Sequence, residues 1–134
     1  TNHLTILQKD NGTSGTDGDH FLSLDLDSSS NTLVLQQSND NNKVMFLDIN
    51  NNSNTIDVTQ KGVGNHYLDL TTAGSAHDID IMQKADGNHA ARINLGGYSI
   101  NFDLTQQGST NQSYDVTSSC GAANGCTLNT TQGQ

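Results

Sequence analysis

Residues that could bind a metal or transfer protons recur at a regular interval along this 134-residue chain. His66 and His89 occupy equivalent positions in two successive copies of this interval, and His20 and Lys43 precede them in the same series. If equivalent positions stack, the His66 and His89 imidazoles form a candidate transition-metal site or a pH-sensitive edge. The competing interpretation, which we prefer, makes them solvated turn residues. We therefore predict no metal and no cofactor.

The two cysteines are a second candidate for chemistry. Cys120 and Cys126 bracket the segment GAANG. In an oxidising compartment they can close a small loop through a disulfide, and the alternative is a pair of free thiols near the end of the chain. Two cysteines alone do not make a zinc site.

Acidic residues follow the same interval but do not suggest catalysis. Asp57, Asp80 and Asp103 are spaced as evenly as the two histidines. Stacked, they form a column of like charges that is costly unless it is protonated, screened or bridged by cations. The sequence contains no GxSxG or HExxH motif, no phosphate-binding loop and no dinucleotide fingerprint. It therefore predicts a protein that is not an enzyme.

Composition limits the partners. The net charge of −9 argues against a nucleic-acid-binding protein and against docking on anionic lipid. No apolar run approaches the roughly 20 residues of a membrane span, so no membrane insertion is expected. The hydrophobic fraction of 31% is low enough that disorder is a serious alternative.

An internal repeat argues against disorder. A glutamine recurs at intervals of 29, 23, 23, 23 and 26 residues, at Gln8, Gln37, Gln60, Gln83, Gln106 and Gln132. An asparagine follows five positions later in the regular repeats, at Asn42, Asn65, Asn88 and Asn111. Apolar residues precede each glutamine by four and two positions, except that Thr130 stands two before Gln132, and others follow each asparagine by three and five. A spacing of two is the period of a β-strand.

These patterns predict an all-β fold. Each repeat should contain a strand, a turn, a second strand and a second turn, and stacked repeats should form a narrow two-sheet β-solenoid of about five and a half 23-residue units. We predict one domain, residues 1–134, with repeats at approximately 1–30, 31–53, 54–76, 77–99 and 100–125 and a half repeat at 126–134.

The glutamines and asparagines are predicted to form ladders. Each glutamine shares a face with the two apolar residues before it, so its amide should point inward, where an unpaired polar group is costly. Stacking lets each amide bond to its equivalent in the next repeat. The asparagines are expected to do the same at the turn, or to accept backbone donors there. A second polar ladder is expected at Asn2, Asn31 and Asn54, continuing to His77.

The pattern resembles the curlin repeat. The segments NTIDVTQKGVGN (Asn54–Asn65) and DIDIMQKADGNHA (Asp78–Ala90) carry the closest likeness, and FDLTQQGSTN (Phe102–Asn111) has the same form. Curlins are subunits of curli, the extracellular functional amyloid of bacterial biofilms. The chain departs from the family in lacking the usual Ser at the start of the repeat and the second Gln.

The resemblance implies a secreted structural subunit that assembles head to tail into a cross-β fibre at the cell surface, in biofilm matrix and adhesion. Its implied partners are identical subunits, a nucleator subunit and an outer-membrane secretion machinery. The alternative is a monomeric β-solenoid that binds ice, polysaccharide or a mineral surface, or a repeat fragment of an adhesin.

Overall fold

A computed structural model describes residues 1–9, 20–38, 42–63, 65–85, 88–108, 111–120 and 125–133. The secondary-structure elements of these residues are all β-strands. They are β1 (His3–Lys9), β2 (His20–Asp27), β3 (Thr32–Ser38), β4 (Lys43–Asn50), β5 (Thr55–Lys61), β6 (His66–Thr72), β7 (Asp78–Lys84), β8 (His89–Gly97), β9 (Asn101–Gln107), β10 (Gln112–Cys120) and β11 (Thr127–Gly133). No helix in this part of the chain is long and apolar enough to cross a membrane.

The strands form two parallel sheets. Sheet A has the order β1-β3-β5-β7-β9-β11, and sheet B has the order β10-β8-β6-β4-β2. Glutamine faces glutamine at every step of sheet A, including the two steps where the spacing grows to 29 and 26 residues, Gln8 to Gln37 and Gln106 to Gln132. Because the extra residues fall outside the paired strands, they do not shift the register. The predicted two-sheet β-solenoid is confirmed.

We define a layer as one strand of sheet A together with the strand of sheet B that follows it in the chain. The first layer is β1 with β2, and the last is β9 with β10. The core lies between the sheets, and each strand from β3 to β9 contributes two or three apolar side chains to it. It consists of Leu33, Leu35, Met45, Leu47, Ile49, Ile56, Val58, Leu68, Leu70, Ile79, Ile81, Ala91, Ile93, Leu95, Ile100, Phe102 and Leu104. This narrow core explains how a chain with so few hydrophobic residues folds, because stacking buries each apolar column along its length.

The turns repeat as faithfully as the strands. Ser30, Ser53, Ala76 and Ser99 have φ between 55° and 60°, and they occupy equivalent positions in four successive repeats. At Gly97, where φ is +124°, an added Cβ would overlap the backbone of Gly74 in the layer before it. Glycine is required there because the backbones of neighbouring turns touch.

The other turn contains a residue under backbone strain. Ala85 has φ of 88°, whereas glycine occupies the equivalent positions, Gly62 and Gly108. We expect Ala85→Gly to raise the free energy of unfolding by about 1 kcal/mol, because glycine adopts positive φ without steric cost. Ala73→Gly, at a turn residue without positive φ, should lower it by about 0.4–1 kcal/mol. Chemical denaturation of both variants checks the opposite signs, and destabilisation by both would contradict the assignment of strain to Ala85.

Candidate functional site: polar ladders and open strand edges

The six glutamines form a continuous hydrogen-bonded ladder along sheet A. Each Nε2 donates to the Oε1 of the glutamine one layer before it, over 2.8–2.9 Å, in the pairs Gln37–Gln8, Gln60–Gln37, Gln83–Gln60, Gln106–Gln83 and Gln132–Gln106. The four inner glutamines are fully buried. All five bonds point the same way, so the ladder has a donor end at Gln8 and an acceptor end at Gln132.

The same amides also link the two sheets. Gln60 Nε2 donates to the carbonyl of Tyr67 on β6 over 3.0 Å, and Gln83 Nε2 donates to the carbonyl of Ala90 on β8 over 3.0 Å. Gln37 and Gln106 make the corresponding bonds to the carbonyls of Val44 and Ser113. The sequence analysis did not predict these bonds, since a repeat interval gives no distance across the core.

The asparagine series at Asn42, Asn65, Asn88 and Asn111 differs from the predicted amide ladder. These four side chains are exposed, and no hydrogen bond joins them within the described ranges. Each of their backbone carbonyls instead accepts a hydrogen bond from the backbone amide that begins the sheet B strand one layer earlier. Asn88 O, for example, accepts from His66 N over 2.8 Å. Strand alternation explains this, because Leu68 points inward and Asn65 is three positions away from it.

A second side-chain amide ladder lies at the opposite edge of the core, where it was predicted. Asn2 Nδ2 donates to Asn31 Oδ1 over 3.1 Å, and Asn31 Nδ2 donates to Asn54 Oδ1 over 3.0 Å. At the next position, His77 Nε2 lies 3.3 Å from the carbonyl of Ala73. The ladder of side-chain bonds therefore ends at Asn54, while the column of positions continues through His77 to Ile100.

The histidine series is buried, so the interpretation of solvated turn residues is wrong. His20, Lys43, His66 and His89 face one another in register at the start of the sheet B strands, followed by Gln112. Lys43 is 0% exposed, and its Nζ donates to the carbonyl of Val63 over 3.3 Å. The signal was present in the sequence, since His66 lies two residues before the inward Leu68 and shares its face.

His66 and His89 each cap the turn that precedes their strand. His66 Nε2 lies 3.0 Å from the carbonyl of Gly62, and His89 Nε2 lies 2.9 Å from that of Ala85. Gln112 makes the equivalent bond to Gly108. A carbonyl only accepts, so Nε2 carries the proton in the neutral imidazole. The same side-chain bond to a turn carbonyl, repeated in successive layers, thus holds the turn that connects each strand of sheet A to the following strand of sheet B.

Burial disfavours protonation of these rings. The pKa of His66 is lowered to about 4, chiefly by burial and also by the nearby Lys43 and His89, while the Gly62 hydrogen bond opposes them. Burial also lowers the pKa of His89. The His66 and His89 rings stack with their centroids 4.7 Å apart, so two imidazolium charges would lie in contact. The stacked His66 and His89 rings are thus neutral structural elements at pH 7.

The geometry gives little support to metal binding at His66 and His89. Their Nε2 atoms bond turn carbonyls, and their buried Nδ1 atoms have no partner in the described ranges. Stacked rings direct these nitrogens alongside each other rather than towards one point. Within the same ranges no group of three or more His, Cys or Asp residues is arranged to hold a metal ion.

The aspartate column lies on the outer face of sheet A. Asp57, Asp80 and Asp103 face one another in register. Partial burial of Asp80, together with the charges of Asp57, Asp103 and Asp78, raises the pKa of its carboxyl. On sheet B, Arg92 lies between Asp69 and Asp115 in register and approaches Asp69 Oδ2 at 4.0 Å. Arg92 thus compensates the charge of its two register neighbours on sheet B, whereas the three aspartates of the sheet A column repel one another.

Cys120 and Cys126 are joined by a disulfide, with their Cα atoms 6.0 Å apart. Cys120 is the last residue of β10, and Cys126 directly precedes β11. The bridge therefore closes the connection between the last two described strands.

Among the described strands, those at the two ends of the solenoid have unpaired outer edges. β1 and β2 form one end, and β10 and β11 form the other. Apolar side chains on these end strands are partly exposed, among them Leu4 at 38%, Tyr114 at 44% and Leu128 at 39%. Edges of this kind are templates for pairing with another chain.

Comparisons of the chain with protein-family models, curated proteins and solved structures found no match.

Proposed function

We propose that this chain is the structural subunit of a curli-like extracellular fibre, which grows head to tail by β-strand stacking and scaffolds biofilm matrix and surface adhesion. The curlin-like segments of the sequence suggest this role. The observation that carries it is the one-way glutamine ladder, whose donor end at Gln8 complements its acceptor end at Gln132. Identical subunits are the implied partner, with a nucleator and a secretion machinery as further partners of the same system.

Head-to-tail growth follows from the polarity of the edges. The strand pairs of both sheets are parallel, so a subunit added in the same orientation continues the backbone hydrogen bonds and the Gln37–Gln8 type of bond. A head-to-head contact would reverse the strand direction and place two glutamine donors or two acceptors together. Continuous stacking also covers the exposed Leu128 side chain.

Electron microscopy and fibre diffraction of the purified chain test this function. We expect unbranched fibres that bind amyloid dyes, resist detergent and show an axial spacing of about 4.8 Å, since strands run across the fibre. A protein that stays monomeric at high concentration, or fibres with strands along the axis, would contradict the proposal.

The aspartate column should destabilise the folded subunit at neutral pH. We expect Asp80→Asn to raise the free energy of unfolding by about 0.2–1 kcal/mol at low ionic strength, since it removes like-charge contacts of surface magnitude within one subunit. Because the folded pKa of Asp80 is raised, protonation relieves the same repulsion in the unmodified chain as the pH falls through that pKa.

Asp115→Asn is the matched control for Asp80→Asn. It changes the net charge equally, but Asp115 is the register neighbour of Arg92 rather than of two aspartates. Its free energy of unfolding should not rise. Urea unfolding of the monomer over a range of salt concentrations measures both variants, and equal stabilisation would show that net charge alone sets the effect.

A monomeric surface-binding module is the second candidate function. Phe21, Phe46 and Tyr67 form a row on the outer face of sheet B, with ring centroids 5.9 and 5.8 Å apart. An exposed aromatic row marks an interaction surface and suits the flat apolar faces of a polysaccharide. Co-sedimentation of monomer with insoluble cellulose, compared with a Phe21→Ser/Phe46→Ser variant, tests it independently of fibre formation.

A further inference from the structure

The two sheets of the solenoid end at different heights. Among the described strands, sheet A has six and sheet B has five, so β11 has no strand opposite it. The outer edge of β10, Gln112–Cys120, is unpaired, and Tyr114 and Leu128 are partly exposed beside this step. The opposite end, β1 with β2, is level. If β11 of one subunit stacks on β1 of the next, a gap one strand wide therefore remains in sheet B.

The strand that creates the step is equivalent to the strand that begins the chain. Leu128 and Gln132 of β11 occupy the columns that Leu4 and Gln8 of β1 occupy at the other end of sheet A. β11 can therefore pair with β3 of another copy in the register that β1 uses. Gln132 then offers the same Oε1 acceptor that Gln8 offers. One of the two strands is redundant in a continuous stack.

β1 is the strand that can be released. The disulfide between Cys120 and Cys126 fastens β11 to the end of β10. Ten residues separate Lys9 of β1 from His20 of β2, whereas four separate β5 from β6 or β7 from β8. Ten residues span up to about 33 Å when extended, so β1 can leave while β2 stays in place.

We propose, building on the fibre function above, that β11 of one subunit replaces β1 of the next subunit. β3 of the incoming copy then pairs with β11, and β2 of that copy pairs with the free edge of β10. The displaced β1 lies outside the stack. In the free subunit β1 covers the edge of β3 that pairs with β11 in the fibre, so it acts as a removable cap on assembly.

The exchange closes the core at the junction. β2 brings Leu22 and Leu24 onto the columns that end at Tyr114 and Val116, and these leucines face β11 across the core. Gln37 of the incoming copy donates to Gln132 instead of to its own Gln8.

The exchange also conserves strand pairing. Simple stacking joins the subunits through β11–β1 and keeps β1–β3, whereas exchange replaces these two pairs by β11–β3 and β10–β2. The number of strand pairs is therefore the same. The hydrogen bond from Asn2 to Asn31 is lost, and the gap in sheet B is filled.

Cysteine cross-linking of assembled fibres identifies which strands meet. Thr5, Val34, Asp103 and Asn129 share one outward column of sheet A. Neighbouring strands are about 4.8 Å apart, within reach of a disulfide, whereas second neighbours at about 9.6 Å are beyond it. Fibres are assembled from mixtures of single-cysteine variants, oxidised mildly and mapped by peptide mass spectrometry, with the native disulfide left intact.

We expect Asn129→Cys to cross-link with Val34→Cys of another subunit. Cross-linking to Thr5→Cys would show that β1 is retained, and cross-linking of Thr5→Cys to Asp103→Cys would show that β11 is the displaced strand. Either result overturns the exchange while leaving the fibre function intact. Absence of fibres from the unmodified chain overturns both.

The axial rise of the fibre gives a second readout. Exchange makes each subunit contribute five layers, or roughly 24 Å, whereas simple stacking contributes six, or roughly 29 Å. A Thr5→Cys/Val34→Cys variant, oxidised as a monomer, should lose at least tenfold in elongation rate because β1 cannot leave, while each single variant elongates normally. A rise of about 29 Å per subunit, the value for six layers, overturns the proposal, as does unchanged elongation of the locked variant.

Discussion

Replacement of Gln60 by alanine is expected to lower the free energy of unfolding by about 2–4 kcal/mol, a large share of the stability of a chain this size. Gln60 is fully buried and donates to Gln37 Oε1, to the Tyr67 carbonyl and, at 3.3 Å, to the Lys43 carbonyl. The truncation leaves these acceptors buried without their donor and removes the acceptor of Gln83.

Two controls separate the ladder from general effects of truncation. Thr59→Ala changes the outward neighbour of Gln60 and should cost less than about 1 kcal/mol. Gln132→Ala removes an exposed end of the ladder that makes a single amide bond, and the monomer should lose about 0.5–1.5 kcal/mol. Urea unfolding of the three monomeric variants checks the order, and equal losses for Gln60→Ala and Thr59→Ala would contradict the role of the ladder.

The free energy of unfolding is expected to fall by about 2 kcal/mol as the pH drops from about 6.5 to about 4, through the titration of His66. His66 is neutral and buried, with its pKa lowered from 6.5 to about 4. The unfolded chain takes up a proton in this window and the folded chain does not, so the contribution of His66 is complete above 6.5 and is lost towards 4. The full pKa shift of His66 corresponds to a loss larger than about 2 kcal/mol. We expect the smaller value because the turn that contains His66 lies close to solvent.

His66→Gln isolates this effect. Gln112 already occupies the same column and caps its turn through Gly108, so glutamine is a substitute that the fold itself uses. The variant should keep most of its free energy of unfolding at pH 7. On acidification this free energy should fall much less than it does in the unmodified chain. Asp80 acts with the opposite sign, because its raised pKa favours the folded form on acidification.

Thermal unfolding of the monomer across pH 4–7, with Asp80→Asn as the background, separates the two groups. In that background, His66→Gln should reduce the remaining loss of stability at acidic pH. An unchanged pH profile in that variant would mean that His66 is not the group that titrates, and would transfer the effect to His77 or His89, whose pKa values burial also lowers.

The sequence by itself determined the fold and the inward position of the glutamines. A constant repeat interval sets the register of stacked strands, because any slip would separate equivalent residues. Alternation of Ile56, Val58 and Gln60 then places the amide on the core face. The same rule extended to Leu68 and His66 would have buried the histidine, but strand alternation is not guaranteed as a chain enters a turn.

Only the tertiary structure decided the remaining contacts. The bonds from Gln60 to Tyr67 and from His66 to Gly62 depend on the separation of the two sheets and on the turn dihedrals, which a one-dimensional period does not contain. The exposure of Asn65 and the pairing of Cys120 with Cys126 were likewise open until the turns were placed. Periodicity specifies what repeats along the solenoid axis, whereas contacts across the core and within turns require three-dimensional distances.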